Sequence, residues 1–234
     1  MQTHDPGPEP SREALAAAIA EILPGKDAAA VAKLAEHAHR VLLANRTLNL
    51  TRITEPREVA VKHVFDSLLV PARVDLAGAR VLDVGTGAGW PGIPIAVEVP
   101  SAHVTLLDGT AKKIAVVEDA IAALELCNAV AVHGRAETHL VHTRYDVLVA
   151  RAVGPISRLL PWLLPRRGQF AALVAMKGPA GIEEWEEAEA SGAARGFELA
   201  EVHQEELPAG AGRRVLLVIA PTGRRRLSGS KKRH

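Results

Sequence analysis

The sequence predicts an α/β fold: a doubly wound, mostly parallel sheet, with a helical appendage before it and an antiparallel hairpin closing it. Three observations support this. From residue 78 onward, short continuous apolar runs alternate with segments of helical periodicity. A glycine-rich turn follows the first of those runs directly. Amphipathic helical segments precede any strand-like run.

Residues 1–10 hold three prolines and no apolar pattern, so a disordered start is expected. Residues 11–77 read as the appendage. Its first helix spans 11–23 with Ser11 as N-cap, and Pro24-Gly25 breaks it. Over 27–46, Val31, Leu34, Ala35, Ala38, Val41 and Leu42 fall at helical spacing. A third helix is expected over 54–69, with Val61, Val64, Phe65 and Leu68 on its apolar face. The main domain then spans 78–222. Strands are expected at 80–84, 103–108, 129–133, 146–150 and 170–176, each buried on both faces, with helices at 111–126, 155–164 and an acidic one at 182–189. Two last strands, 197–204 and 214–220, flank a Pro-Gly-rich connection without a helix, which gives the antiparallel hairpin.

A chain of 234 residues accommodates one such domain with its appendage. Aromatic residues make up 3%, too few for a surface of stacked rings. The formal net charge is +1, yet residues 223–234 carry six positive charges and no acid, so a basic flexible tail follows a mildly acidic body. The single cysteine, Cys127, excludes an intramolecular disulfide and a cysteine zinc site, and no metal is expected. Cys127 itself reads as a core residue at a helix end. No apolar run reaches the ~18 residues of a membrane span, and residues 1–10 lack the features of a secretory signal. The glycosylation pattern at Asn49-Leu50-Thr51 is then accidental. A cytoplasmic monomer without membrane association is expected.

The chemistry sits in Val81-Leu82-Asp83-Val84-Gly85-Thr86-Gly87-Ala88-Gly89-Trp90-Pro91-Gly92. An apolar run ends in an acid, and alternating glycines lead into a helix. The next strand-like run ends in Asp108, about 20 residues past the glycines, where a carboxylate meets a bound ribose. Gly87 to Gly92 formally satisfies the dinucleotide fingerprint, but Asp83 beside it would repel a pyrophosphate and suits an ammonium group instead. A P-loop is excluded because no Gly-Lys-Ser/Thr follows. S-adenosylmethionine is the favoured cofactor. Gly85, Gly87 and Gly89 would admit its methionine moiety and Trp90 would wall the pocket, although Trp90 also reads as packing. Asp108 would accept the ribose hydroxyls, with a role at the next helix start as its alternative.

In the right order the chain carries NLTR at 49–52, HVFDS at 63–67, DVGTGAGWPGIP at 83–94, LDGTAKK at 107–113, ARAV at 150–153 and Lys177-Gly178. These segments resemble the RsmG (GidB) family, a branch of the class I, Rossmann-like S-adenosylmethionine-dependent methyltransferases, over residues 31–219. The resemblance implies methyl transfer to N7 of a guanine in 16S ribosomal RNA, position 527 in the usual rRNA numbering. It also implies a partner that is 16S rRNA, the small ribosomal subunit or an assembly intermediate, and places Ala136 and Glu137 at the adenine end. Glu137 alternatively reads as a surface helix start. His63 and Asp66 would border the active site as positioning candidates, although with Lys62 they equally read as a solvated helical face.

A ring-nitrogen acceptor also agrees with what is missing. No Asn/Asp-Pro-Pro-aromatic loop follows the fourth strand, and Cys127 is poorly placed as a nucleophile for attack on a pyrimidine carbon. Arg151, at the end of the fourth strand, is read as orienting the cofactor carboxylate or an RNA phosphate, or else as pairing a local carboxylate. Arg46, Arg52, Lys112, Lys113, Arg135, Arg144, Arg166, Arg167 and the tail are candidates for phosphate contacts. Two other readings stay open on these residues: a NAD-dependent oxidoreductase, from the formal fingerprint, and a non-catalytic RNA-binding or ribosome assembly factor.

Overall fold

The computed structural model describes residues 10–223. The expected disordered start up to residue 9 and the basic tail from Arg224 lie outside the described residues. Ser11 Oγ accepts the Ala14 amide at 3.2 Å ahead of α1 (Arg12–Ile22), and Asp27 Oδ2 accepts the Ala30 amide at 3.0 Å ahead of α2 (Ala28–Leu48). Each cap satisfies an amide that has no partner within its helix. The third helical run is longer than its apolar spacing implies. It comprises α3 (Pro56–Val59), a π-helical stretch at Ala60–Phe65, and α4 (Asp66–Arg73), which continues through Pro71.

Seven strands follow: β1 (Arg80–Val84), β2 (His103–Asp108), β3 (Ala129–His133), β4 (Tyr145–Arg151), β5 (Phe170–Lys177), β6 (Phe197–Glu206) and β7 (Arg213–Pro221). They form one sheet in the order β3-β2-β1-β4-β5-β7-β6, parallel from β3 to β5, with β7 antiparallel to both β5 and β6. The hairpin therefore joins the sheet through its second strand. The strand order reverses between β1 and β4, so a crevice opens at their carboxyl ends.

Alternate residues of the central strands feed two apolar layers. Leu82, Leu148, Leu173 and Leu217 pack under α7 (Ala136–His139), α8 (Ile156–Leu163) and α9 (Gly181–Ala190). Val81, Val104, Val147 and Val174 pack under α4, α5 (Gly92–Glu98) and α6 (Ala111–Ala123). Burial on both faces holds for β1 and β4 but fails at β3, an edge strand whose Val130 is 53% exposed. Cys127, expected in the core, is exposed as well, just before that edge. A third cluster joins Leu15, Ile19, Leu34 and Val41 of the first two helices to Val59 and Val64, and also to Ala88 and Trp90 of the glycine turn. The appendage is thus packed directly on the site.

Asn128 staples the turn between α5 and β2. Its side-chain amide donates to the carbonyls of Ala96, Ala102 and Val99 at 3.0, 3.1 and 3.3 Å. Asn128→Ala leaves those carbonyls without their donor and should cost roughly 1–3 kcal/mol in urea unfolding. Asn128→Asp, which aims a carboxylate at three carbonyls, should cost more. A variant pair with the reverse order of stability would refute the staple.

Candidate functional site

Asp83 organises the turn. Its Oδ2 accepts the Thr86 hydroxyl at 2.6 Å and the Gly92 amide at 2.8 Å, closing the loop from both ends. Gly92 has no room for a side chain, because a Cβ there would stand 2.6 Å from Leu106 Cδ2 and 2.7 Å from Asp83 Oδ2. The Gly85 and Thr86 amides donate to Leu107 O at 2.8 and 3.0 Å, and the Gly87 amide donates to Asp108 Oδ2 at 3.0 Å. Asp108 Oδ1 accepts the Thr110 amide at 2.8 Å, so Asp108 also supports the entry to α6. Each oxygen keeps a free lone pair for a further donor.

A crevice of about 500 Å³ opens beside this turn, lined by Gly85, Asp108, Ala136, Glu137, Val153 and Trp162 among others. Four of the residues expected at a cofactor therefore line one cavity. Glu137 lies in the first turn of the short α7, as its alternative reading had it, yet its Oε2 is buried with no hydrogen-bond partner. Arg135, a phosphate candidate, lines the crevice, and the guanidinium of another, Arg166, donates to Glu137 O at 3.1 Å.

Asp83 and Trp90 are placed otherwise than expected. Asp83 is fully enclosed and does not open into the crevice, and its Oδ1 has no partner. Burial pushes its carboxyl up to about 6 from the ordinary 3.8, against the lowering effect of the Thr86 and Gly92 bonds and the charge of Arg151. Trp90, which precedes a cis proline, packs toward the appendage rather than into the crevice. It lies between His37, with ring centroids 4.0 Å apart, and His63, stacked at 5.2 Å.

His37 sits within the apolar face of α2, and no sequence motif marks it. Its Nε2 donates to Ala88 O at 2.8 Å, leaving Nδ1 without a partner, and burial lowers its pKa to about 4. Gly89 faces it with φ +94°, and a Cβ there would lie 2.8 Å from Ile93 Cγ1 and 2.9 Å from His37 Nε2.

A second cavity, about 800 Å³ and open, contains His63, Asp66, Arg151, Lys177 and Arg214 in its lining. The reading of His63 and Asp66 as a solvated helical face fails. The helical run from Pro56 is buried on two sides, Val61 and Leu69 facing the sheet layer and Val64 the appendage. Asp66 is fully buried. It accepts Arg214 Nε at 2.6 Å and Nη2 at 3.1 Å, and Arg151 Nη1 at 3.2 Å. Arg151 thus pairs a local carboxylate, as its alternative reading proposed, while still lining the cavity. Burial depresses its guanidinium below the ordinary value, opposed by the Asp66 charge. Burial, followed by the charge of Arg151, lowers His63 to about 3, so that ring is neutral and bonded to Thr51 Oγ1 at 2.9 Å. Residues 151–154 divide the cavities, with Val153 facing the first and Arg151, Ala152 and Gly154 the second.

The first cavity fits a nucleoside with an amino-acid arm. Asp108 offers lone pairs at one place and Glu137 Oε2 an unpartnered acceptor at another, with the glycine turn between Asp83 and the opening. Among the described residues no group of three or more His, Cys, Asp or Glu could hold a metal ion, and no helix is long and apolar enough to cross a membrane.

Residues 30–211 match the profile of the GidB family, described as rRNA small subunit methyltransferase G. The chain is 38% identical over 197 residues to the ribosomal RNA small subunit methyltransferase G of Solibacter usitatus, covering 84% of this chain and 93% of that protein. It is 39% identical over 200 residues to the protein of that name from Pelotomaculum thermopropionicum, covering 82% and 83%. In fold it is similar to a putative O-methyltransferase from Klebsiella pneumoniae, with a TM-score of 0.56 at 16% identity, covering 89% and 96% of the two chains.

The raised Asp83 pKa has a stability consequence. Between about 4 and about 6 the folded chain holds a proton that the unfolded chain has released, so this group's contribution to stability falls as pH rises through that window. Asp83→Asn keeps an acceptor for Thr86 and Gly92 without titrating. Its stability relative to the natural chain should improve by about 2 kcal/mol between pH 4 and pH 7 in urea unfolding. A difference that does not change with pH would refute the assignment.

Proposed function

Because the chain belongs to the GidB family of small-subunit rRNA methyltransferases, we propose that it methylates N7 of a guanine in 16S rRNA, at position 527 in the usual numbering. Its methyl donor is S-adenosylmethionine. The observation that carries the reading is the pair of cavities with residues 151–154 as their common wall. One is built for a nucleoside. The other carries positive charge, since two guanidiniums share the Asp66 carboxylate, and so suits a nucleotide of an RNA chain. Hydride transfer to a nicotinamide, open on the glycine fingerprint alone, loses its support to the family.

When bound, S-adenosylmethionine supplies a methyl group on a positively charged sulfur. The residues of this chain hold and orient. Asp108 and Glu137 fix the nucleoside end, and the Gly85–Gly89 backbone lets the arm lie close to the turn. Arg151, braced by Asp66, orients the acceptor from the second cavity. N7 of guanine presents an outward lone pair and loses no proton, so no general base is required. The neutral His63 agrees with that, being a positioning residue rather than a base. Alignment of the nitrogen with the breaking bond is the main device, worth up to ~7–11 kcal/mol in favourable intramolecular cases.

The test incubates the protein with labelled S-adenosylmethionine and small subunits from cells lacking the modification, then maps N7-methylguanine by chain cleavage. Label at one guanine of 16S rRNA is expected. Label in protein, lipid or small molecules overturns the reading, and cofactor binding without turnover supports an assembly factor instead. Arg151→Ala should lower turnover roughly 100-fold while the protein stays folded. Gly87→Asp, which strains a backbone held at φ +60° and sets a carboxylate near Asp108, should weaken cofactor binding on the order of 100-fold in calorimetry. Normal turnover by either variant rejects the site.

A further inference from the structure

The wall between the two cavities is held by a pair of residues in the lining of the second, Lys177 and Glu184, whose bonds run to the wall itself. Ala152 has φ 56°, a conformation that residues other than glycine rarely adopt, and Gly154 has φ 135°. Between them Val153 projects toward the glycine turn, where a Cβ on Gly85 would stand 3.2 Å from Val153 Cγ2. A segment of this kind keeps its shape only if its surroundings impose it.

The imposing groups are Lys177 and Glu184. Lys177, buried at the end of β5, donates to Gly154 O and to Glu184 Oε2, the latter at 2.7 Å. The same Oε2 accepts the Ile156 amide at 3.1 Å. Ile156 is the first residue of α8, and the Pro155 before it makes no side-chain cap, so Glu184 supplies from α9 the acceptor that this helix end lacks. One carboxylate therefore fixes positions 154 and 156, one of them through an ammonium. α8 in turn carries Arg158 and Trp162 to the cofactor crevice. The approach of α9 is specifically permitted, because a Cβ on Gly181 would lie 2.7 Å from Lys177 Cβ.

We propose that Glu184 is a positioning residue for methyl transfer, acting through Lys177 and the Ile156 amide to hold the 152–155 wall at the spacing that brings donor and acceptor into line. The proposal rests on the methyl-transfer reading above for its kinetic part. Its mechanical part stands on the hydrogen bonds alone.

The experiment compares the natural protein with Glu184→Ala and Glu184→Gln, each checked for folding by circular dichroism. Three quantities are measured: cofactor affinity by calorimetry, single-turnover rate with cofactor and small subunits both saturating, and amide hydrogen exchange over residues 151–157 with S-adenosylhomocysteine bound. Glu184→Ala should lose roughly 100-fold in rate, the effect of a misplacement of about 1 Å. Its cofactor affinity should stay within about threefold, and exchange at 151–157 should quicken at least about tenfold, as expected when a hydrogen-bonded loop opens locally. Glu184→Gln keeps an acceptor for Ile156 and should recover part of both losses. A rate for Glu184→Ala within threefold of the natural protein, a loss abolished by raising substrate concentration, or unchanged exchange at 151–157 each overturns the proposal. If the alanine variant does not fold, the isosteric glutamine variant decides by the same measurements. If the natural protein transfers no methyl group, the functional reading fails, and quickened exchange in the variants still supports the wall-holding role while unchanged exchange rejects it.

Discussion

One oxygen of Asp83 receives the Thr86 hydroxyl and the Gly92 amide, and the path of every residue between them follows from those two bonds. With both ends drawn onto the end of β1, the Gly85, Thr86 and Gly87 amides point toward β2, where Leu107 O and Asp108 Oδ2 accept them, while the Gly89 and Trp90 amides turn back to Thr86 O. The first two strands are thereby locked at the place where the sheet reverses order. Burying a carboxylate is unfavourable, which shows in its raised pKa. The two bonds and the nearby Arg151 offset part of that cost.

The second cavity has a corresponding centre in Asp66, and its ligands come from far apart in the chain. Arg151 arrives on a parallel strand and Arg214 on the antiparallel strand beyond it. Insertion of β7 next to β5, rather than simple addition of a hairpin at the edge, brings the second guanidinium within reach. The two halves of the site thus depend on opposite solutions to one problem. Asp83 meets uncharged donors at one oxygen and none at the other, and its proton affinity rises, whereas Asp66 is met by two cations.

Most of the fold is legible because buried parallel strands are continuous apolar runs and their connecting helices are periodic. Ser11 and Asp27 announce their helices for a local reason, since a short polar side chain before an apolar repeat satisfies a free amide. What is illegible is tertiary. Nothing local distinguishes the half-exposed β3 from its buried neighbours, because edge position is a property of the sheet. His63 and Asp66 read as solvated because a helix pattern shows one apolar face, while this run is covered on two sides. Gly85, Asp108, Ala136 and Glu137 line one crevice. Arg214 and Glu184 carry no motif, since a lone charge on a strand or in an acidic helix looks like solvated surface. Trp90 follows its packing alternative, facing the appendage although it stands beside the glycines.

The contact between His37 and the glycine turn has a consequence for how such a chain can diverge. An imidazole at 37 leaves no space for a side chain at 89, and the loss of that imidazole strips the Ala88 carbonyl of its donor. The two positions are therefore physically coupled despite their separation in sequence, with Ile93 closing the same space from the other side. Exchanging the first helices for an unrelated module would break that contact, so the amino-terminal helices and the glycine turn form one mechanical unit.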